Sequence, residues 1–270
     1  MEEETPQKDT ADNELYERIL QAGLENGMSL NDSILVVCGS TSDADVFRKL
    51  KFENVTISNL DERIDALENP FEPYKWSFQK AEDLTLEDNS FDWVVVHAGL
   101  HHLRCPHKGV AEMMRVATKG IIAIEPHDNW FTRFGVKLGA GQEYETAAVQ
   151  GNDLLYGGVE NTPIPNYVYR WDRKDVMKSI KTLAPEYNHD FLFRYCTAIP
   201  TRIYQLKNPI FRIFFSLCGR TLSFLGRHIR FFSNNIAFMV IKRESQLQPW
   251  LTKDGEEIVP DKNYFGRMYD

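Results

Sequence analysis

The chain has 270 residues, 43% of them hydrophobic and 26% charged, with a formal net charge of −8. That composition is ordinary for a soluble protein large enough for one domain with an extension, and the acidic balance argues against nucleic acid as a partner. Cys38, Cys105, Cys196 and Cys218 are scattered with no CxxC pair, no apolar leader is visible and no long uncharged apolar run is present; reduced thiols in a cytoplasmic protein are the expectation.

Residues 1–12 are expected to form a disordered acidic tail, since residues 1–17 carry seven acids. Leu15, Ile19 and Ala22 then recur at helical spacing, which predicts a lead-in helix over 13–24 that covers a sheet face. Residues 33–38 read as a first strand, Gly39 to Ser42 as its turn, and 44–51 as a helix capped by Asp43. Strands follow at 54–58, 76–79, 91–96 and 120–124, with a helix at 107–117 between the last two. Short runs rich in Val and Ile, alternating with amphipathic stretches, indicate parallel strands buried by helices on both faces. Such sheets bind ligands beyond the carboxyl ends of their strands, which directs attention to Cys38 to Ser40, Asn59 to Asp61, Ala81 to Asp83, His97 to His102 and Glu125 to Asp128.

Beyond Glu125 the pattern loosens. Helices are expected at 129–138, 143–149 and 172–183, a loop at 157–171, and strands at 189–197 and 235–241. Between the last two strands, residues 208–232 are rich in Phe, Ile and Leu, and Gly219 and Gly226 suggest two helices or a broken one. Residues 191–243 contain nine Lys or Arg and no acid. That stretch reads either as a peripheral membrane patch, centred on 207–232, or as an insertion packed on the sheet or on a second subunit. The tail after 245 is expected to wrap the surface.

Several residues can carry chemistry. Gly39, beside Ser40, ends a strand before a helix, where backbone N–H groups can approach a ligand; a plain turn is the competing reading. Asn59 lies twenty positions after Gly39 and Asp61 twenty-two, with Leu60 between them. An amide or acid there could hold ribose hydroxyls, or Asp61 could cap a helix. Ala81 and Leu84 could wall an aromatic base and Glu82 could accept from its amine, unless the segment is a solvated loop. His101 or His102 is placed to serve as a general base, and so is His127 with Asp128 orienting it. Tyr156, Asn166, Tyr167 and Tyr169 offer flat faces and polar edges for a sugar-like acceptor, although alternating aromatics also fit a half-buried strand. No metal is implied, because no His and carboxylate residues share ligand spacing.

Taken together, Val36-Val37-Cys38-Gly39, Asn59-Leu60-Asp61, Ala81-Glu82-Asp83-Leu84, residues 87–98, Leu100-His101-His102, residues 112–116 and residues 120–126 resemble the class I S-adenosylmethionine-dependent methyltransferases, closest to their type 11 branch. The resemblance covers roughly residues 30–130. It implies a doubly wound, Rossmann-like, seven-stranded α/β sheet with a helical insertion before the last strand. It places Gly39 at the methionine part of S-adenosylmethionine, Asn59 or Asp61 at the ribose, Ala81 and Glu82 at the adenine, and His97 under the sulfonium. Two departures stand out: one glycine remains in the cofactor turn, and Lys80 stands where the family often has an acid. The Cys-Gly turn and Asn166-Tyr-Val-Tyr-Arg-Trp171 also resemble methyltransferases of surface-polysaccharide and other glycan pathways.

The implied division is a methyltransferase domain at 13–200 with acceptor loops at 140–171, a helical cap at 201–233, and a last strand with its tail at 234–270. The implied activity is methyl transfer to a small-molecule or glycan-like, even lipid-linked, acceptor, most naturally at oxygen, in a cytoplasmic or membrane-peripheral protein that could be a homodimer. A degenerate binding or scaffold subunit is the alternative, and a nucleotide-dependent oxidoreductase a more distant one.

Overall fold

The computed structural model describes residues 10–61, 63–64, 69–199 and 209–269. The first helix, α1 (Thr10–Glu25), begins three residues earlier than the periodicity suggested. Residues 10–12, expected in the acidic tail, are its first turn; residues 1–9 lie outside the described residues. Seven strands follow: β1 (Ile34–Val37), β2 (Val55–Asn59), β3 (Lys75–Phe78), β4 (Phe91–His97), β5 (Ala117–Pro126), β6 (Asp190–Cys196) and β7 (Asn235–Ile241). They form one sheet in the order β3-β2-β1-β4-β5-β7-β6. The first five are parallel, whereas β7 runs antiparallel to both β5 and β6. This is the Rossmann-like class I methyltransferase sheet, with a mixed edge in place of parallel strands throughout.

Helices cover both faces because the central strands are apolar on both sides. On one face, Leu15, Tyr16, Ile19 and Leu20 of α1 and Val46 and Phe47 of α2 (Thr41–Leu50) pack on Ile34, Val36, Ile57 and Met239. On the other, Val110, Met113 and Met114 of α3 (Pro106–Val116) and Val176 and Ile180 of α6 (Arg173–Leu183) pack on Leu35, Val94, Ile121 and Phe238. Two further helices, α4 (Trp130–Lys137) and α5 (Thr146–Gln150), stand over the carboxyl end of β5.

Between β6 and β7, α7 (Pro209–His228) is one continuous helix, not two. Residues 201–208 of the expected cap lie outside the described residues, as does residue 200 before it. Gly219 and Gly226 do not break α7; they let it approach the segment after β6. A Cβ on Gly226 would lie 1.7 Å from Thr197 Oγ1, and one on Gly219 2.9 Å from Ile199 Cδ1. After β7 come a hairpin of β8 (Leu251–Asp254) and β9 (Glu257–Pro260), and α8 (Lys262–Tyr269), elements the sequence pattern did not indicate. No helix of the described residues is long and apolar enough to cross a membrane.

Candidate functional site

The strand order reverses between β1 and β4, and a crevice opens at their carboxyl ends, where open α/β sheets take ligands. A first cavity of about 760 Å³ lies there, lined by Cys38, Gly39, Asn59, Leu60, Asp61, Gln79, Ala81, Gly99, His102 and Leu103, with residues 157–161 as its far wall. Cys38 takes a left-handed backbone conformation (φ 54°) to turn the chain. Gly39 follows because nothing larger fits: a Cβ would lie 2.7 Å from Ile57 Cγ2. Asn59 staples the turn to the second loop, its Nδ2 donating to the Gly39 carbonyl (2.7 Å) and its Oδ1 accepting from the Asp61 N–H (2.8 Å). Asp61 is thereby left on the rim. Its hydrogen bond from Arg63 holds its carboxyl below the usual range, so it is ionised at neutral pH.

A second cavity of about 920 Å³ lies over β5 and β7. Phe131, Thr132 and Val136 of α4, Leu222 of α7, residues 197–199 and Asn234 and Asn235 line it, with Gln142, Glu145, Arg170 and His101.

The two cavities meet at adjacent residues. His102 lines the first and His101 the second, and their rings lie 4.6 Å apart. Glu145 spans both: its Oε2 is 3.2 Å from His101 Nε2 and 3.4 Å from His102 Nε2. Glu125, buried at the end of β5, fixes the loop from below. Its Oε1 accepts from the N–H groups of Gly99 (2.8 Å) and Leu100 (2.7 Å), and its Oε2 takes His101 Nδ1–H at 2.7 Å. Asn166 closes the cluster, donating to the His101 carbonyl at 3.0 Å. Burial alone would lower the pKa of His101, but the carboxylates of Glu125 and Glu145 outweigh it and push it up to about 10. Burial likewise opposes ionisation of Glu145, yet His101 brings it down to about 2. His102 moves the other way, lowered by burial and by the neighbouring His101 charge, so it is neutral at pH 7.

Comparison with known proteins agrees with this fold. Residues 35–124, from β1 into β5, match the type 11 family of methyltransferase domains. This segment is similar to a methyltransferase domain. We find no sequence match among curated proteins. Among solved structures, the fold is similar to that of a S-adenosylmethionine-dependent methyltransferase from Archaeoglobus fulgidus (TM-score 0.50, 9% identity, 85% of this chain and 94% of that one). It is similar also to a structure of the Haloferax volcanii methyltransferase complexed with the Trm112 methyltransferase activator (TM-score 0.52, 10% identity, 87% and 92%).

The residues expected at the cofactor divide into two sets. Gly39, Asn59, Leu60, Asp61 and Ala81 line the first cavity together. Ser40, Glu82 and His97 are outside its lining. Ser40 caps α2, its Oγ donating to Asp43 Oδ2 at 2.8 Å. Glu82 is buried and accepts from the Cys105 N–H at 2.8 Å. His97 pairs with Asp12 of α1 (2.7 Å) and packs at a tilt against Tyr16, with the rings 4.8 Å apart. Lys80, at the position that departs from the family, pairs with Glu160 of the far wall at 2.5 Å. The cavity's chemistry fits an adenosyl group: an ionised carboxylate on one rim, the Gln79 amide, and the apolar Leu60, Ala81 and Leu103 as a slot.

The expected catalytic and acceptor residues divide as well. His101 and His102 sit at the junction, whereas His127 is buried and lines neither cavity. Its Nδ1 meets Ser233 Oγ at 2.7 Å and Asn129 Nδ2 at 2.8 Å, and burial depresses its pKa to about 4. Asp128 does not orient it; it pairs with Arg133 at 2.5 Å. Asn166 belongs to the cluster beneath the site. Tyr167 and Tyr169 line two further cavities, of about 1040 and 660 Å³. Tyr156 lies at the first cavity's side, under the Arg63 guanidinium at 3.9 Å. Sequence reasoning assigned no role to Glu145 or to the walls from Phe131, Ile199 and Leu222. Glu125 carried a signal, being the acid that ends a central strand.

Proposed function

We propose that the domain transfers a methyl group from S-adenosylmethionine, held in the first cavity, to a hydroxyl of a small-molecule or glycan-like acceptor in the second. The observation that carries this reading is the junction itself: a ligand in either cavity abuts the same His101–His102–Glu145 cluster. Asp61 would hold ribose hydroxyls, and Leu60, Ala81 and Leu103 would flank the base. Bound there, S-adenosylmethionine supplies an already activated methyl group. The chain's own task is then to align the acceptor, exclude water and remove one proton. Gln142, Arg170, Asn234 and Asn235 offer donors and acceptors to a polyol, while Phe131, Val136 and Leu222 offer an apolar wall to whatever it is attached to. The acceptor proton leaves at the cluster.

The test is transfer of radiolabelled methyl from S-adenosylmethionine to a panel of sugars, sugar nucleotides and lipid-linked saccharides. The expected product is an alkali-stable O-methyl ether. The His101→Ala, His102→Ala pair should lower its rate about 100-fold or more while S-adenosylhomocysteine still binds. Binding of S-adenosylhomocysteine with no transfer to any acceptor would instead favour a non-catalytic binding subunit.

A further inference from the structure

We propose that His101, His102 and Glu145 form a binding site for one divalent first-row transition ion, zinc being the best match to the donor set. Among the described residues, these three offer ligand atoms that all lie within 4.8 Å of one another. The separations match those of a metal cradle. His101 meets Glu125 at 2.7 Å, the length of a charge-assisted hydrogen bond. Both imidazoles instead stand off the same Glu145 oxygen, at 3.2 and 3.4 Å. Those are edges of a coordination polyhedron: bonds of about 2.1 Å around tetrahedral zinc put neighbouring donors about 3.4 Å apart.

The supporting shell is also in place. Metal-bound histidines give their other ring nitrogen to a carboxylate or carbonyl, which fixes the tautomer and aims the free nitrogen. His101 gives Nδ1 to Glu125, and His102 has a hydrogen bond with the Gly158 backbone. Asn166 steadies the third ligand, its Nδ2 lying 3.4 Å from Glu145 Oε2. Two histidines and one glutamate leave a coordination position open, as catalytic zinc sites do. His102 lines the first cavity, and His101 and Glu145 the second. The inference rests on the proposed methyl transfer only for its catalytic consequence. An ion there would lower the pKa of an acceptor hydroxyl; the O–H bond breaks, and the proton passes to solvent water at the mouth of the second cavity.

The experiment is a calorimetric titration of chelator-stripped full-length protein with zinc chloride, with cobalt(II) absorption as a second readout. One equivalent should bind per chain, and tetrahedral cobalt bands should appear. Glu145→Gln and, separately, His102→Ala should lose the site. Glu125→Gln should weaken it about 10–100-fold. Thermal melts would confirm that each variant folds. S-adenosylhomocysteine is titrated into the same samples. No zinc or cobalt binding overturns the metal site, and it does so whether or not the nucleoside binds. Silence with S-adenosylhomocysteine counts separately, against the methyltransferase reading.

A different observation carries a second inference. On α7, Ile213, Leu217 and Phe224 form one stripe and are 57%, 77% and 64% exposed. Beside it, Trp130 stacks on Phe134 at 5.3 Å and on Phe231 at 5.9 Å, all three exposed. Both α7 and α4 also wall the second cavity, through Leu222 and Phe131. Residues 191–243 hold nine Lys or Arg and no acid, of which Arg227, Lys242 and Arg243 pair with Glu14, Glu244 and Asp190 and the other six supply the positive charge. We infer that this face lies on an anionic lipid surface, with the helix in the interface plane and the second cavity opening beside it. Sedimentation with vesicles of phosphatidylcholine, with and without phosphatidylserine, tests it. The protein should sediment with the anionic vesicles, and Leu217→Glu with Phe224→Glu should abolish this while leaving S-adenosylhomocysteine binding unchanged. Failure to bind anionic vesicles would overturn the inference, as would a dimer in light scattering that the same substitutions split, which would assign the face to a second copy.

Discussion

Asp12 and His97 lie 85 positions apart, yet their ion pair ties α1 to the end of β4. Burial opposes the charge on His97, but Asp12 outweighs it and raises its pKa from 6.5 to about 9. The pair's stabilisation is therefore complete below pH 6.5 and is lost as pH rises through about 9, a loss on the order of 3 kcal/mol. Burial opposes ionisation of Asp12 too, yet His97 holds its pKa below 3.8, so the acid-side loss comes only beneath that value. Thermal melts should show Asp12→Asn well below the parent at pH 6 and the two converging near pH 10; a constant gap would contradict the assignment. Gly39→Ala should cost about 1–3 kcal/mol by overpacking against Ile57 and Val36, and should also weaken S-adenosylhomocysteine binding; chemical denaturation and calorimetry read the two effects. Residues of this kind were unevenly legible. Gly39 and Asp61 stand out because strand ends punctuate the sequence. Asp12 and Glu145 do not, because their partners are set by the fold and no local spacing announces them.

At the scale of elements, burial explains what could be read. The seven strands were visible because each is a short Val- and Ile-rich or alternating run that the sheet buries, and α1 because its apolar face recurs at helical spacing. That face is fully buried at Leu15, Tyr16, Ile19 and Leu20. Ile19→Ala should destabilise the fold by about 2–5 kcal/mol, seen as a lower denaturation midpoint with unchanged slope. An exposed helix of marginal value would show almost no shift. The reading of α7 as a broken helix failed because its glycines serve contact, not flexibility. Gly226→Ala should push α7 off Thr197 and open the second cavity, with amide exchange in residues 197–199 accelerated. The hairpin of β8 and β9 went unseen because it stands apart from the main sheet and carries little apolar pattern of its own.

For the whole molecule, the reversal of strand order between β1 and β4 decides where a nucleoside can enter, and that much follows from the alternation of strands and helices. The antiparallel entry of β7 was hidden, since strand direction leaves no mark on a short apolar run. Yet that entry brings Asn234 and Asn235, α7 and the end of β6 to one side of His101 and so builds the second cavity. A crystal structure with S-adenosylhomocysteine tests the account most directly. The adenosyl group should lie against Asp61, Leu60 and Ala81, with its sulfur turned toward His102 and the second cavity. A ligand bound elsewhere, or a sulfur walled off from that cavity by His101 and Glu145, would contradict it.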